Sequence, residues 1–494
     1  MIHRSEVDGV PVVWTEGPAP LSARLLFRVG VRDETFRIRG VTDLVQRLAT
    51  GRIEHDLDDA SVEVDTTVAT FAATGAPDAV AAYLTELCRS LGDLPTTDLT
   101  ATADEVTADD NYPVPVIVAD LLFLRFGYQG LGLSGVLPGI ADQIPADAVV
   151  GFARRCFSRG NAVLALTGRP PPGLLLPLPD GPRLAVPGDR DADIALPAWE
   201  EFPAGVTLSF RMSDHGSAVA WTVCHLAVRR GLEDLRDRRG SVTALWTTTH
   251  RSASDYLVTL GAEAEAEHAD EVWRSLLAIL RELRDVGPTA DELAQLLADY
   301  QSAVVRSGSD VGDTLSLALA ELLGEPPIRR QESVKLQQRV TPAQCRESLA
   351  QLDATLLVGV PEEVEIDDPE LPRLVHASGS TVQGRVFPRD PVRGREVGVR
   401  RRVALIVGDE GVSRTSPFGP QTIRWKDVVG LGRAPADDEI TLYGTDGATI
   451  SALPEAFLDG PVARDLIAAR VPADLHFDEA SLATDFADQE DVEA

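Results

Sequence analysis

The stretch Gly40 to Ala49 (GVTDLVQRLA) carries three side chains of the kinds that bind ions or handle protons, Asp43, Gln46 and Arg47. Apolar residues at 41, 44, 45 and 48 follow the i, i+3, i+4, i+7 spacing of a buried helical face, so these three fall elsewhere on the same helix. Asp43 offers an oxygen ligand. Gln46 has no titratable group in the useful range and cannot act as a general base, and Arg47 is a permanent cation with no lone pair to give a metal. Asp43 and Arg47 stand four residues apart and can pair, an exposed interaction worth roughly 0.3–0.5 kcal/mol. The alternative is that all three are simply solvated.

Other chemistry-bearing residues are scattered. Glu54-His55-Asp56 with Asp58-Asp59 either attracts a divalent cation or is only a solvated acidic loop. The eight histidines never occur in ligand spacing, and His225, beside Cys224, reads as a satisfied core or surface histidine. Cys88, Cys156, Cys224 and Cys345 form no C-x-x-C pair and read as reduced core thiols of a cytosolic protein. Gly130-Leu131-Gly132-Leu133-Ser134-Gly135 matches G-x-G-x-x-G, but it follows a helical run and precedes Pro138, without the strand and helix a dinucleotide site needs. Val136 also stands where a serine elbow would need its last glycine.

Two runs of alternating strands and helices position these residues. Val10–Thr15, Ala23–Val29, Asp65–Ala73 and Asn161–Thr167 read as strands, with helices over 40–49, 77–91 and 97–110. A second run follows: strands over 206–212, 242–249, 256–263 and 354–360, a long helix over 217–238, another over 270–286, and helix starts at Thr289, with a Thr289/Glu292 capping box, and at Thr341-Pro342. Short strands over 403–407, 421–425, 439–443 and 448–452 precede a helix over 461–470. The expected fold class is α+β: two similar α/β halves and a small, mostly β domain with a C-terminal helix. The boundaries are an N-terminal half (1–170), a Pro/Gly-rich linker (171–204), a second half (205–365), an Arg-rich linker (366–400), a C-terminal module (401–475) and an acidic disordered tail (476–494).

The strand pair, the phrase Val29-Gly30-Val31-Arg32-Asp33-Glu34, Gly40 and the helix after it, in this order, resemble the opening of the pitrilysin/insulinase family of zinc metallopeptidases, whose helix bears H-x-x-E-H. The resemblance spans roughly residues 1–365. It implies two α/β halves, and it aligns Asp43 and Arg47 with the two zinc-binding histidines and Gln46 with the glutamate that takes a proton from metal-bound water. The family's third ligand, a glutamate on a later helix, aligns with Asp109. All these functional positions differ, so the resemblance implies a lost zinc site, no cofactor and no intact catalytic residue. Leu232 to Gly240 resembles the family's L-R-x-x-x-G signature, which would make Arg236 a holder of peptide backbone. The tyrosine expected three residues past the glycine is Thr243, and Arg236 can equally pair with Asp237. Ile423 to Val428 (IRWKDV) and the closing helix resemble pleckstrin-homology-like or GRAM-like modules, which implies an interaction domain.

Composition bounds the partners. With 46 basic against 77 acidic residues the net charge is −31, which repels nucleic acid and favours protein or peptide partners. The arginines at 385, 389, 393, 395, 400, 401 and 402 form a local exception that can touch phosphates or anionic lipid, or can be only a solvated linker. No transmembrane segment or export signal is legible, and the reading is a cytoplasmic protein of bacterial composition. The leading functional expectation is a non-catalytic pseudo-peptidase: a scaffold, a peptide-binding protein or the inactive partner of an active relative. The alternatives are a residual hydrolase using residues near Glu54, His55 and Asp109, or a protein that works by docking through its C-terminal module.

Overall fold

The computed structural model describes residues 2–479 apart from 109–112, 137–138, 193, 203–204, 253–254, 307–309, 363, 375–379, 417–418 and 435–437. The chain divides into two compact units, one of Ile2–Asp193 with the segment from His376 onward, the other of Ile194–Val375.

In the first unit, β1 (Ile2–Val7), β2 (Val10–Thr15), β3 (Leu21–Phe27), β4 (Asp59–Val64), β5 (Ala69–Gly75) and β6 (Ala162–Leu166) form a sheet of order β1-β2-β6-β3-β5-β4. Its helices are α1 (Val41–Thr50), α2 (Pro77–Gly92), α3 (Leu99–Thr107), α4 (Val116–Phe126) and α5 (Ala146–Cys156). The apolar stripe of α1 packs with that of α2 and with Phe152 of α5 against Leu25, Phe27 and Phe71 of the sheet. Each large side chain buried this way contributes roughly 1.5–3 kcal/mol.

In the second unit, β7 (Ala198–Phe202), β8 (Val206–Ser213), β9 (Ala244–Arg251), β10 (Asp255–Glu263) and β11 (Leu357–Pro361) take the order β7-β11-β8-β10-β9. Leaving out β1, the two sheets coincide strand for strand. β2 runs parallel to β6 as β7 does to β11, and every other neighbouring pair is antiparallel. The helices repeat as well: α1 follows β3 as α6 (Ser217–Gly231) follows β8, and α2 follows β5 as α7 (Ala269–Asp285) follows β10. The expectation of two similar α/β halves is met.

The C-terminal segment adds two four-stranded sheets. One holds β12 (Gly384–Pro388), β13 (Ala404–Gly408), β14 (Gly411–Thr415) and β15 (Gln421–Arg424). The other holds β16 (Val428–Arg433), β17 (Ile440–Gly444), β18 (Thr449–Ala452) and β19 (His476–Asp478). The helix Gly460–Arg470 buries Ala463 and Ile467 in their common core.

Several expectations need correction. The stretch 171–204 is no free linker: Leu174, Leu176 and Leu178 alternate along it, and all three are buried in the N-terminal core. The same stretch ends in β7. The stretch 366–400 buries Ile366 and Leu371 in the second core and supplies β12. The strand expected over 65–73 begins later, because Asp65 N donates to Val68 O in a turn before β5. The helix expected over 217–238 is α-helical to Gly231 and continues as a π-helix over Leu232–Arg238. The expected tail begins as structure, since β19 pairs with β16 and Phe477 is buried; residues 480–494 lie outside the described residues.

The start of α1 is fixed from both sides. Gly40 at its N-cap has φ +84°, a left-handed conformation that favours glycine. The buried carboxyl of Glu34 accepts from Gly40 N at 2.7 Å and Thr42 N at 2.9 Å, satisfying donors that the first turn leaves open. Burial pushes Glu34 up to about 7. Just ahead of the helix, the Phe36 ring packs against Tyr128 at 4.7 Å, Tyr443 at 4.9 Å and Phe477 at 5.8 Å. The Arg39 guanidinium lies 4.3 Å from the centre of the Phe36 ring. This knot joins the loop before α1 to β17 and β19, and Gln143 and Asp478 add a reciprocal pair of 2.8 Å hydrogen bonds.

Phe36→Ala should therefore cost about 3–5 kcal/mol, seen as a lower urea midpoint; an unchanged midpoint contradicts this packing. Glu34 should make stability depend on pH. Its value is raised on folding from 4.5 to about 7, so its contribution is present below 4.5 and is lost as the pH rises through about 7. The total is about 3 kcal/mol. Urea unfolding of the wild type and Glu34→Gln at pH 5 and pH 8 checks it: the gap between them should shift against the wild type at pH 8, and a constant gap refutes the assignment.

Candidate functional site

The helical face aligned with zinc chemistry is held by interactions of another kind. Arg47 Nε donates to Asp43 Oδ2 at 2.9 Å and its Nη2 lies 2.8 Å from the same oxygen. The pair forms, with side chains 31% and 27% exposed, so it is partly screened and worth a few tenths of a kcal/mol at most.

Gln46 is fully buried. Its Nε2 donates to Glu63 O at 3.2 Å and to Thr70 O at 3.1 Å, bridging α1 to the β4–β5 pair, while its Oε1 has no hydrogen-bond partner among the described residues. The site thus calls for a donor. A carboxylate at position 46 would face two carbonyl oxygens that it cannot satisfy. Sequence reasoning registered the loss of a base here and missed this bracing, because the partners are main-chain atoms of strands 17 and 24 residues away.

These residues do not fit a zinc ion. A guanidinium engages the only carboxylate of the three, and the amide points its N–H groups at backbone carbonyls. Asp109, aligned with the third ligand, lies outside the described residues. Among the described residues no group of three or more His, Cys, Asp or Glu side chains is arranged to hold a metal.

The remaining candidates resolve one by one. Glu54, His55 and Asp56 are exposed, with His55 edge-on to Tyr83 at 5.4 Å. Arg236 sits on the π-helix, about half exposed, its Nε 2.8 Å from Asp237 Oδ1, and Thr243 donates to Glu263 at 2.9 Å. Of the two readings of Arg236, its contact is with the neighbouring acid. His225 Nδ1 lies 2.9 Å from Trp221 O and its ring stacks on that tryptophan. The Gly130–Gly135 segment is a 3-10 helix pressed on its neighbours: a Cβ at Gly132 would stand 2.0 Å from Gly127 O, and one at Gly135 would stand 2.4 Å from Ala119 O. These glycines serve close packing. All four cysteines are free and buried, and burial raises every thiol, Cys156 and Cys345 to about 11.

Sequence comparison finds no matching family model and no matching curated protein. Solved structures do match. The peptidase M16 inactive domain from Pseudomonas fluorescens has a TM-score of 0.59 at 16% identity, over 74% of this chain and 100% of that one. The first half of the periplasmic protease PqqL from Escherichia coli gives 0.58 at 14%, over 73% and 92%. A chain of complex III2 from Candida albicans gives 0.59 at 13%, over 75% and 99%. The paired α/β halves of this chain have the fold of the M16 peptidases, the pitrilysin and insulinase type.

Proposed function

We propose that this protein is a non-catalytic member of the pitrilysin/insulinase family, acting as a scaffold, a peptide-binding protein or the inactive partner of an active relative. The observation that carries the reading is the state of α1, where the Asp43–Arg47 ion pair and the buried Gln46 amide occupy the three positions that zinc chemistry would need. Two likenesses support it. One solved relative in fold is described as an M16 inactive domain, and another is part of complex III2, a multi-chain assembly. The two four-stranded sheets and closing helix of the C-terminal segment suit an interaction module of the pleckstrin-homology-like type. Four buried thiols suit a reducing compartment, and on that ground we read the protein as cytoplasmic.

Metal analysis of the purified protein, with a peptide-cleavage assay run with and without chelator, tests the reading. The expected result is no stoichiometric zinc and no chelator-sensitive cleavage; finding both would overturn it. A second test probes position 46 itself. Gln46→Glu restores the family's glutamate, yet it should lower stability by about 2–4 kcal/mol at neutral pH, because a buried carboxylate replaces a donor facing two carbonyls. Part of the loss should return at acid pH as the carboxyl protonates. A Gln46→Glu protein as stable as wild type in urea at pH 7 would contradict a site built around the amide.

A further inference from the structure

The last described strand, β19, lies in a groove shaped to it. Its main chain pairs in parallel with β16, with Phe477 opposite Gly432. On its other side Gln143 stands in for a neighbouring strand, since its amide donates to Asp478 O and accepts from Asp478 N. Phe477 sits among Phe36, Tyr443 and the Arg37 guanidinium, the last 5.4 Å from the centre of its ring. Beyond it, Glu479 accepts from Tyr443 OH at 2.8 Å and from Thr441 Oγ1 at 3.4 Å. Two glycines of β16 leave the room: a Cβ at Gly430 would stand 3.0 Å from the Phe477 ring, and one at Gly432 would stand 2.0 Å from Glu479 Oε1. Asp478, between these two anchors, is exposed. The groove thus reads an aromatic residue, then any residue, then an acid.

The resident strand fills this groove incompletely. It pairs with residues 431–433 of the six-residue β16, because the three residues before it, Ala473–Leu475, are wound into a 3-10 helix and do not pair with 428–430. Parallel pairing is also slightly the weaker kind. The Glu479 carboxyl meets hydroxyls but no cation among the described residues, and burial raises it above its ordinary value.

We propose that this groove is a docking site for an extended segment of a partner protein, carrying an aromatic residue with an acid two positions on, and that β19 is the resident segment it displaces. Strand addition at a sheet edge draws affinity from the main chain and selectivity from pockets for alternate side chains; here Phe477 and Glu479 occupy those alternate positions. A partner whose preceding residues are extended can pair along all of β16, which the resident strand does not. A second copy of this chain brings the same short strand and gains nothing over the tethered one. The inference stands whether or not α1 binds zinc.

Hydrogen exchange of the full-length protein with the synthetic peptide Thr-Val-Thr-His-Phe-Asp-Glu tests it. This probe keeps the residue types of 476–479 and replaces the 3-10 turn with strand formers. At millimolar probe the Asp478 amide should exchange about ten-fold faster than without it, and probes with Phe or Glu replaced by Ala should leave it unchanged. Phe477→Ala, which empties the aromatic pocket, should bind a fluorescent form of the probe about ten-fold more tightly than the wild type does, since a tethered competitor acts at roughly millimolar concentration. Exchange at Asp478 unmoved by the probe overturns the proposal, as does probe binding no tighter to a folded Phe477→Ala protein. An equal effect of the Ala-substituted probes also overturns it. A dimer that grows with protein concentration and disappears in Phe477→Ala does so too, and assigns the groove to the strand of a second copy.

Discussion

The contact of Phe36 and Arg39 with Tyr128, Tyr443 and Phe477 anchors the loop that leads into α1, whose first turn Gly40 and Glu34 then fix. A guanidinium stacked on an aromatic face and sealed from water has lost its hydration, and burial pushes Arg39 down to about 10. It remains charged at neutral pH, stabilised by the surrounding rings and by the Phe36 carbonyl, which accepts from Nη1 at 2.8 Å. The loop that carries Phe36 and Arg39 also carries Arg28, Arg32 and Asp33 at its start. Arg28 pairs with Asp33, and Arg32 reaches Asp189 at 2.7 Å with both side chains nearly fully buried. Breaking such a pair by removing one member typically costs about 3–5 kcal/mol. The segment before α1 is therefore fastened to the Pro/Gly-rich stretch on one side and to the C-terminal sheets on the other.

On that base Asp43, Gln46 and Arg47 have distinct roles. Asp43 and Arg47 balance each other in partial solvent and contribute little. Gln46 is the structural member, since its amide ties the helix to two strands from within the core. Two carbonyl acceptors beside a fully buried side chain suit an amide donor at position 46.

Much of this fold was legible in the sequence, for reasons that differ by element. The α1 stripe, α2 with its leading proline, α7 and the strands β2, β3, β8 and β10 announce themselves through periodicity, because each buries one continuous face. The edge strand β4 alternates polar Asp59, Ser61 and Glu63 with half-buried Ala60, Val62 and Val64, a strand signal overlooked because it directly continues the acidic run from Glu54. β7 and β12 were missed because they lie in stretches rich in proline, glycine and arginine. In 171–204 the three alternating leucines were the available signal, and the prolines drowned it. The ion pair on α1 was legible from its i, i+4 spacing. The bracing by Gln46 and the joining of Phe36 to Phe477 were not, since both depend on partners that only the tertiary fold brings near.

The knot around Phe36 also bears on how the chain is made. Its rings come from positions 36, 128, 443 and 477, so the loop ahead of α1 cannot be finished when the first α/β half leaves the ribosome. Until residue 477 has been synthesised, Phe36 and Tyr128 lack their covering rings, and a greasy surface stands open next to a cation. The second half is completed in that interval with its own separate core. Synthesis from the amino end thus leaves the earliest domain waiting on the latest strand.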